Sequence, residues 1–159
     1  MAAKLDAIDW KILRELMADG RITNVTLAQR AGITPPPCLR RVRALEQAGY
    51  IRGYRADIDE GMLGYNLIVM VMVTLHNQSE ADLRAFDNRL LTWPLVREAY
   101  MMSGEFDYHL KCVAADMPAF QNFLLRELTP APNVASVKTF VTIRRTKSES
   151  GVPIDTARL

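Results

Sequence analysis

The sequence predicts an α+β protein with a helix-turn-helix module in front and a ferredoxin-like βαββαβ module behind it. Up to about residue 50 the apolar residues recur at helical spacing, and from residue 65 extended and helical segments alternate. Charge is uneven too: residues 1–55 carry ten Lys or Arg against five acids, a balance of +5, and the remainder ten against thirteen, or −3. We expect a helix-turn-helix domain over 1–50, a linker strand over 51–64 and a βαββαβ domain over 65–159.

Composition and cysteine spacing argue against several classes of protein. No apolar run reaches the length of a membrane span, and "MAAKLDAIDW" lacks the apolar core of a signal peptide. We therefore expect a soluble cytoplasmic protein with no membrane partner. Cys38 and Cys112 have neither CxxC nor Cys/His spacing, so we expect two buried thiols and no metal site.

The first two helices are predicted from their caps and apolar spacing. Asp6 can cap the first, "KLDAIDWKILRELMADGR", with Asp9 in its first turn. Thr23 or Asn24 can cap the second, "TNVTLAQRAGI", and Gly32 can close it in the left-handed conformation. A third helix begins within about three residues, a spacing typical of the helix-turn-helix, whose second helix can enter a major groove.

Three prolines stand at the start of the third helix. Proline is tolerated in a first helical turn because the missing N–H would have no partner there, and Thr34 is a suitable cap. Because a residue before proline resists the helical conformation, a start at Pro35 and a start at Pro37 both remain open.

The third helix has an apolar side and a cationic side. At about 100° per residue, the core stripe consists of Cys38, Leu39, Val42 and Leu45. Opposite it lie Pro36, Pro37, Arg40, Ala44 and Gln47, with Arg41 and Arg43 on the flanks. From Arg21 to Arg55 there are seven arginines and one acid, Glu46, which favours a polyanion-binding surface over a merely solvated face. The following "YIRGYRADI" is predicted to be extended, either a wing or a linker strand.

The second module reads as strands and capped helices in the order βαββαβ. The strand "YNLIVMVMVTL" is apolar on both faces, Ser79 and Asp116 can cap two helices, and "VASVKTFVTIRRT" is the final strand. Two helices cover only one face of such a sheet. We therefore expect a symmetric dimer through the other face; a lone module is the alternative.

These residues resemble the Lrp/AsnC family of leucine-responsive, or feast/famine, regulators. "LDAIDWKILRELMADGRITNVTLAQRAGIT", "PCLRRVRALEQAGYIRGYRADID" and "SGEFDYHLKCVAADMPAF" carry the similarity, which runs from Leu5 to about Pro153 and is closer to the leucine-responsive branch. It implies a winged helix-turn-helix regulator of transcription, associated with the nucleoid. It also implies a C-terminal effector-binding and oligomerisation domain that dimerises through its sheet. In the family, dimers often assemble into octamers or other multimers.

The resemblance also implies site residues. The helix-turn-helix motif falls on residues 24–43, and the DNA-binding positions are Arg30, Thr34, Pro36, Pro37, Arg40, Arg41 and Arg43. An amino acid such as leucine would bind between dimers, at Tyr100, Ser103, Gly104, Asp107, Tyr108, Met117, Phe140, Val141 and Thr142. Asp107 suits an ammonium, and N–H groups after Gly104 suit a carboxylate; a turn-stabilising role is the alternative for both. No cofactor is implied.

Three positions depart from the family pattern. Pro36 replaces a residue that is usually small and polar, Thr26 replaces a capping-box acid, and Asn133 stands where glycine is common but still tolerates a left-handed conformation. An enzyme is disfavoured, because Ser103, Asp107 and His109 come with no nucleophile elbow, phosphate loop or metal-ligand set. A ligand-binding module without its own DNA site is opposed mainly by the front third.

Overall fold

The computed structural model describes residues 5–149 and 151–154. The chain folds as two compact units, one formed by residues up to 57 together with the segment from 147 onward, the other by residues 58–146. This division groups residues 147–154 with the helices, whereas the sequence pattern grouped them with the sheet. None of the described helices is long and apolar enough to cross a membrane.

The first unit is the predicted group of three helices. They are α1 (Ala7–Ala18), α2 (Asn24–Ala31) and α3 (Pro35–Gln47). Their shared core consists of Ile12, Leu27, Ala28, Ala31, Cys38 and Leu45. Because this core takes one face of each helix, α3 keeps a solvent-facing side.

The caps follow the sequence prediction. Asp6 accepts the Asp9 N–H at 2.9 Å, and the Asp9 carboxylate accepts the Asp6 N–H at 3.2 Å, which completes a capping box at α1. Thr23 accepts the Thr26 N–H at 3.2 Å, and Gly32 closes α2 with φ 78°. Helix α3 begins at Pro35. Thr34 has the extended backbone of an N-cap, but its side chain makes no capping hydrogen bond.

Two expectations for this part of the chain were wrong. Leu39 remains 39% exposed, because it lies about 100° around α3 from Cys38 and so falls on the flank of the core stripe. The linker strand is absent: residues 51–59 form neither helix nor strand, and residues 60–64 form a turn. A strand requires a paired neighbour, and no described strand of the chain pairs with this segment.

The second unit confirms the βαββαβ prediction. Its four strands form one antiparallel sheet in the order β2-β3-β1-β4. The elements are β1 (Leu67–Leu75), α4 (Glu80–Leu90), β2 (Val96–Met101), β3 (Tyr108–Ala114), α5 (Met117–Phe123) and β4 (Val134–Val141). Helix α5 continues into a π-helical turn, Leu124–Leu128, and β4 ends earlier than its apolar pattern suggested.

One face of the sheet carries the core. Val69, Val71 and Val73 of β1 are fully buried and belong to one cluster with Phe86 of α4 and Phe120 of α5. Residues of opposite parity on β1, Met70 and Met72 among them, lie on the other face and are only partly buried. We call that side, which neither α4 nor α5 covers, the open face.

Both cysteines are buried free thiols, as predicted. Burial raises the pKa of the Cys112 thiol to about 12, so this thiol stays protonated at neutral pH.

Asn133 precedes β4 with φ 69°, the left-handed conformation expected from its position. Its side chain forms two hydrogen bonds with the backbone of Asn77: the Asn77 N–H donates to Oδ1 at 2.9 Å, and Nδ2 donates to the Asn77 carbonyl at 2.7 Å. Asn133 therefore combines a backbone role that glycine could fill with a side-chain clamp that glycine cannot supply.

Replacing Asn133 by alanine and by glycine separates these two contributions. Both changes remove the two hydrogen bonds, but only alanine suffers the left-handed strain. The larger conformational entropy of glycine in the unfolded chain offsets part of this strain. We therefore expect Asn133→Ala to be about 0.5–1 kcal/mol less stable than Asn133→Gly. Urea unfolding at one fixed protein concentration measures the difference. Equal stability of the two variants would contradict a strained backbone at this position.

Candidate nucleic-acid interface and ligand site

The outward face of α3 carries two unpaired cations. Arg40 and Arg43 are exposed, and neither side chain forms a hydrogen bond or ion pair with any described residue. They project away from the buried Cys38 and Leu45. This is the side of α3 that the helical periodicity of the sequence predicted to bind a polyanion.

The turn that leads into this face is anchored to α2. The Asn24 side chain donates from Nδ2 to the Pro35 carbonyl at 2.9 Å, while its buried Oδ1 has no partner among the described atoms. Thr34 and Pro36 are exposed at the start of α3, and Pro37 is half-buried. The predicted DNA-facing residues of the leading turn are thus accessible except for part of Pro37.

Arg41 is held by the other end of the helical unit. Its Nη1 contacts Asp6 Oδ2 at 2.8 Å and Asp9 Oδ1 at 2.7 Å, and its side chain is 33% exposed. The hydrogen bonds to Asp9 and Asp6 raise the pKa of the Arg41 guanidinium. The Asp9 backbone N–H and Arg41 lower the pKa of the Asp6 carboxyl against the opposing effect of burial. Arg41 therefore ties α3 to the capping box of α1.

Arg30 is also paired. Its Nη1 lies 3.0 Å from Glu15 Oε2, and Arg14 binds the other oxygen of the same carboxylate at 2.8 Å. Hydrogen bonds from Arg14 and then Arg30 lower the pKa of Glu15. Of the four predicted DNA-binding arginines, Arg40 and Arg43 have no partner within the described part of the chain, whereas Arg30 and Arg41 each have an internal acidic partner.

The β2–β3 turn carries the residues predicted to hold the charged groups of an amino acid. Ser103 and Gly104 are exposed, and Gly104 has φ 145°. Asp107 Oδ2 accepts the Leu75 N–H at 2.7 Å, so this carboxylate stabilises the end of β1. A carboxylate has further lone pairs, and Oδ1 has no partner among the described residues. One bond to Leu75 thus leaves Asp107 able to accept another donor.

Tyr108 corrects the predicted ligand set. It is 1% exposed, and its hydroxyl donates to Asp87 Oδ1 at 2.9 Å. Tyr108 is paired with Val73, so strand parity places its ring in the core, where burial and Asp87 raise the pKa of its hydroxyl. The side chain supports the sheet from within and does not line an accessible site.

Tyr100 and Phe140 lie on the open face, at opposite edges of the sheet. Tyr100 on β2 stacks on His109, with ring centroids 6.2 Å apart, and donates its hydroxyl to Glu98 at 2.8 Å. Phe140 on β4 is paired with Met70. Three strand spacings, about 14 Å, separate β2 from β4. Within a single chain the two residues therefore lie on opposite edges of the open face.

The remaining predicted ligand residues lie near strand and helix ends. Val141 ends β4 half-exposed, and Thr142 donates from both its N–H and its Oγ1 to the Ile68 carbonyl, each at 2.9 Å. Met117 is exposed at the start of α5, after the capping residue Asp116. The β2–β3 turn brings Ser103, Gly104 and Asp107 together. Met117, Val141 and Thr142 do not belong to this turn.

Comparison with known proteins gives concordant matches for both units. Residues 5–52 match the family described as winged helix-turn-helix DNA-binding, and residues 68–152 match the Lrp/AsnC ligand binding domain. The chain is 58% identical over 151 residues to the leucine-responsive regulatory protein of Rhizobium meliloti (strain 1021), covering 95% of this chain and 97% of that protein.

Two further relatives agree. The Bkd operon transcriptional regulator of Pseudomonas aeruginosa is 41% identical, with 96% of this chain and 99% of that protein covered. The crystal structure of a transcriptional regulator from Neisseria meningitidis in complex with L-Met superimposes with a TM-score of 0.91 at 31% identity, over 97% of this chain and 99% of that one.

Removing Arg41 should destabilise the helical unit in a pH-dependent way. At pH 7 we expect Arg41→Ala to lose about 0.5–1 kcal/mol of unfolding free energy, the scale of a partly exposed ion pair. Because the folded-state pKa of Asp6 is lowered, this difference is fully present above the ordinary value of 3.8 and disappears as pH falls through the lowered pKa.

Urea unfolding from pH 7 down to about pH 2, below the ordinary Asp pKa range, tests this. Arg14→Ala is the control, because Arg14 contacts Glu15 on its own helix and joins no other element. If Arg41→Ala matched Arg14→Ala at every pH, the proposed link between α1 and α3 would carry no stability.

Proposed function

The chain belongs to the Lrp/AsnC family of transcriptional regulators, and from that membership we propose that its helical unit binds specific sites on double-stranded DNA while its sheet unit binds a free amino acid between dimers. Binding of the amino acid would bias assembly or DNA affinity. The two sites would be coupled because the effector binds one assembly state better than another.

The free cationic side of α3 carries the DNA-binding proposal. Arg40 and Arg43 are exposed and have no acidic partner among the residues that the structure describes. They are therefore available to bind a DNA phosphate or the edge of a guanine. The proline-started leading turn is stiff and carries no bulky charge beside the groove. In a dimer, two such helices would meet half-sites one helical turn, about 34 Å, or a multiple of it apart.

The open face of the sheet supports homodimerisation. Met70 and Met72 occupy its central strand, and Phe140 and Tyr100 at its edges are 53% and 52% exposed. Exposed apolar side chains on an uncovered sheet face are typical of an interface, and a two-fold axis lets one patch cover its own copy. Dimers would then assemble into an octamer or another multimer.

An amino acid such as leucine is the proposed effector. Asp107 Oδ1 is available to the ammonium, and the turn after Gly104 offers N–H groups to the carboxylate. The relative from Neisseria meningitidis was crystallised with L-Met, which has a side chain of similar size. Since Tyr100 and Phe140 lie on opposite edges of the sheet within a chain, a site shared between subunits suits them better. A regulator that acts on DNA would work in the bacterial cytoplasm, at the nucleoid.

DNA binding can be tested by electrophoretic mobility shift with the upstream region of the chain's own gene. At low salt we expect a retarded complex with the wild type and a roughly 5- to 150-fold weaker complex with Arg40→Ala, the loss of about 1–3 kcal/mol expected for a base contact. Arg14→Ala, a paired arginine, should bind like the wild type. Absence of any complex with intact wild-type protein would end the DNA-binding proposal.

Effector binding can be tested by thermal shift with each of the twenty amino acids. Binding to the folded state should raise Tm for leucine or a close analogue by mass action. Asp107→Asn keeps a carbonyl oxygen for the Leu75 N–H but removes the negative charge. It should therefore stay folded and lose the ligand-induced shift. An equal shift in this variant would rule out Asp107 as the ammonium partner.

A further inference from the structure

The segment that follows α3 carries two cations that the predicted DNA-binding set did not include. Arg52 and Arg55 are exposed, and neither side chain has a hydrogen bond or ion pair with a residue that the structure describes. The segment lacks regular secondary structure. The residues directly before these two arginines nevertheless fix the position of the segment.

Two residues anchor the segment to the helical unit. Ile51 packs against the helical core, and its N–H donates to the Leu45 carbonyl at 3.3 Å. The Tyr54 hydroxyl donates to Glu46 Oε1 at 3.0 Å, and the Tyr54 ring lies so near Gly20 that an added Cβ there would come within 3.4 Å of it. Burial and Glu46 both raise the pKa of Tyr54, so the hydroxyl stays a donor at neutral pH. Arg52 and Arg55 each directly follow an anchored residue.

The anchor lies beside the free face of α3. Glu46 is three residues after Arg43, so the two are neighbours on the helix surface, and the tyrosine bond holds the segment next to Arg43. Arg41 lies on the opposite flank, where Asp6 and Asp9 hold it. The open side of α3 is therefore bordered by α1 on one flank and by the arginine-bearing segment on the other.

Internal ion pairs divide the arginines of residues 14–55 into two groups. Those with an acidic partner are Arg14, Arg30 and Arg41. Those whose side chains have no partner among the described residues are Arg21, Arg40, Arg43, Arg52 and Arg55. A guanidinium already held by a carboxylate is partly neutralised and has fewer N–H donors left for phosphate, whereas a free one offers its full charge and all its donors. Four of the five free cations lie on α3 or on the segment beside it.

We propose that Arg52 and Arg55 bind backbone phosphates of double-stranded DNA beside α3, so that the segment from Ile51 to Arg55 forms a second part of the DNA-contacting surface. This inference rests on the proposed DNA binding by α3. Phosphate contacts fix the register of a protein on the duplex without reading sequence. Arg52 and Arg55 would thus hold the duplex from the side while Arg40 and Arg43 of α3 contact it.

The salt dependence of binding to a random-sequence duplex tests the inference, because the phosphate contribution does not require the operator sequence. Fluorescence anisotropy would give Kd at several salt concentrations, roughly 50 to 200 mM. The double variant Arg52→Gln, Arg55→Gln should bind more weakly at low salt. The slope of log Kd against log salt should fall by about 0.9 for each phosphate that the variant no longer neutralises.

Matched variants separate charge from folding. Arg14→Gln with Arg84→Gln removes two arginines that each have an acidic partner and lie outside the predicted DNA-binding set, so it should leave the slope unchanged. Arg52→Lys with Arg55→Lys keeps both charges and should preserve the slope. Circular dichroism and Tm confirm that each variant is folded. If the wild type binds with a steep salt dependence and the Gln double variant has the same slope, this inference is overturned and DNA binding by α3 stands. If the wild type does not bind duplex, both proposals fail.

Discussion

Helix α3 must bury one side in the helical core while its other side stays cationic. The rest of the helical unit is arranged around this constraint. Cys38 and Leu45 supply the buried side. Only one acid, Glu46, lies between Arg21 and Arg55, and it accepts the Tyr54 hydroxyl instead of an arginine. The two carboxylates that do reach α3 come from the capping box of α1 and take Arg41 on the flank. Arg40 and Arg43 therefore keep their charge outward.

Much of this could be predicted from local sequence. A cap acts within three residues and strand parity within two, so the starts of α1 and α2, the closing Gly32 and the two faces of β1 all followed from spacing. The ion pairs of Arg41 join residues 32 and 35 positions apart, and no local signal marks them. The same holds for the bond from Tyr54 to Glu46, which anchors an irregular segment where a linker strand was expected.

The predicted ligand residues show which implications of the family resemblance the positions of the side chains do not support. Tyr108 and His109 are adjacent on β3, and strand alternation alone indicates that only one of them is accessible. Register with Val73 shows that Tyr108 is the buried one. Asp107 serves the end of β1 and still keeps one oxygen free, so a structural and a binding role coexist there. The separation of Tyr100 from Phe140 could not be foreseen without the strand order.

The most direct measurement is a titration of duplex DNA into the protein, followed by NMR of the arginine side-chain Nε–Hε groups. If the free side of α3 is the contact surface, Arg40 and Arg43 should shift most strongly. The paired Arg14 should barely move, and chemical shifts in the sheet unit should change little. Shifts confined to Arg14 or the sheet unit, with Arg40 and Arg43 unperturbed, would contradict DNA recognition by α3.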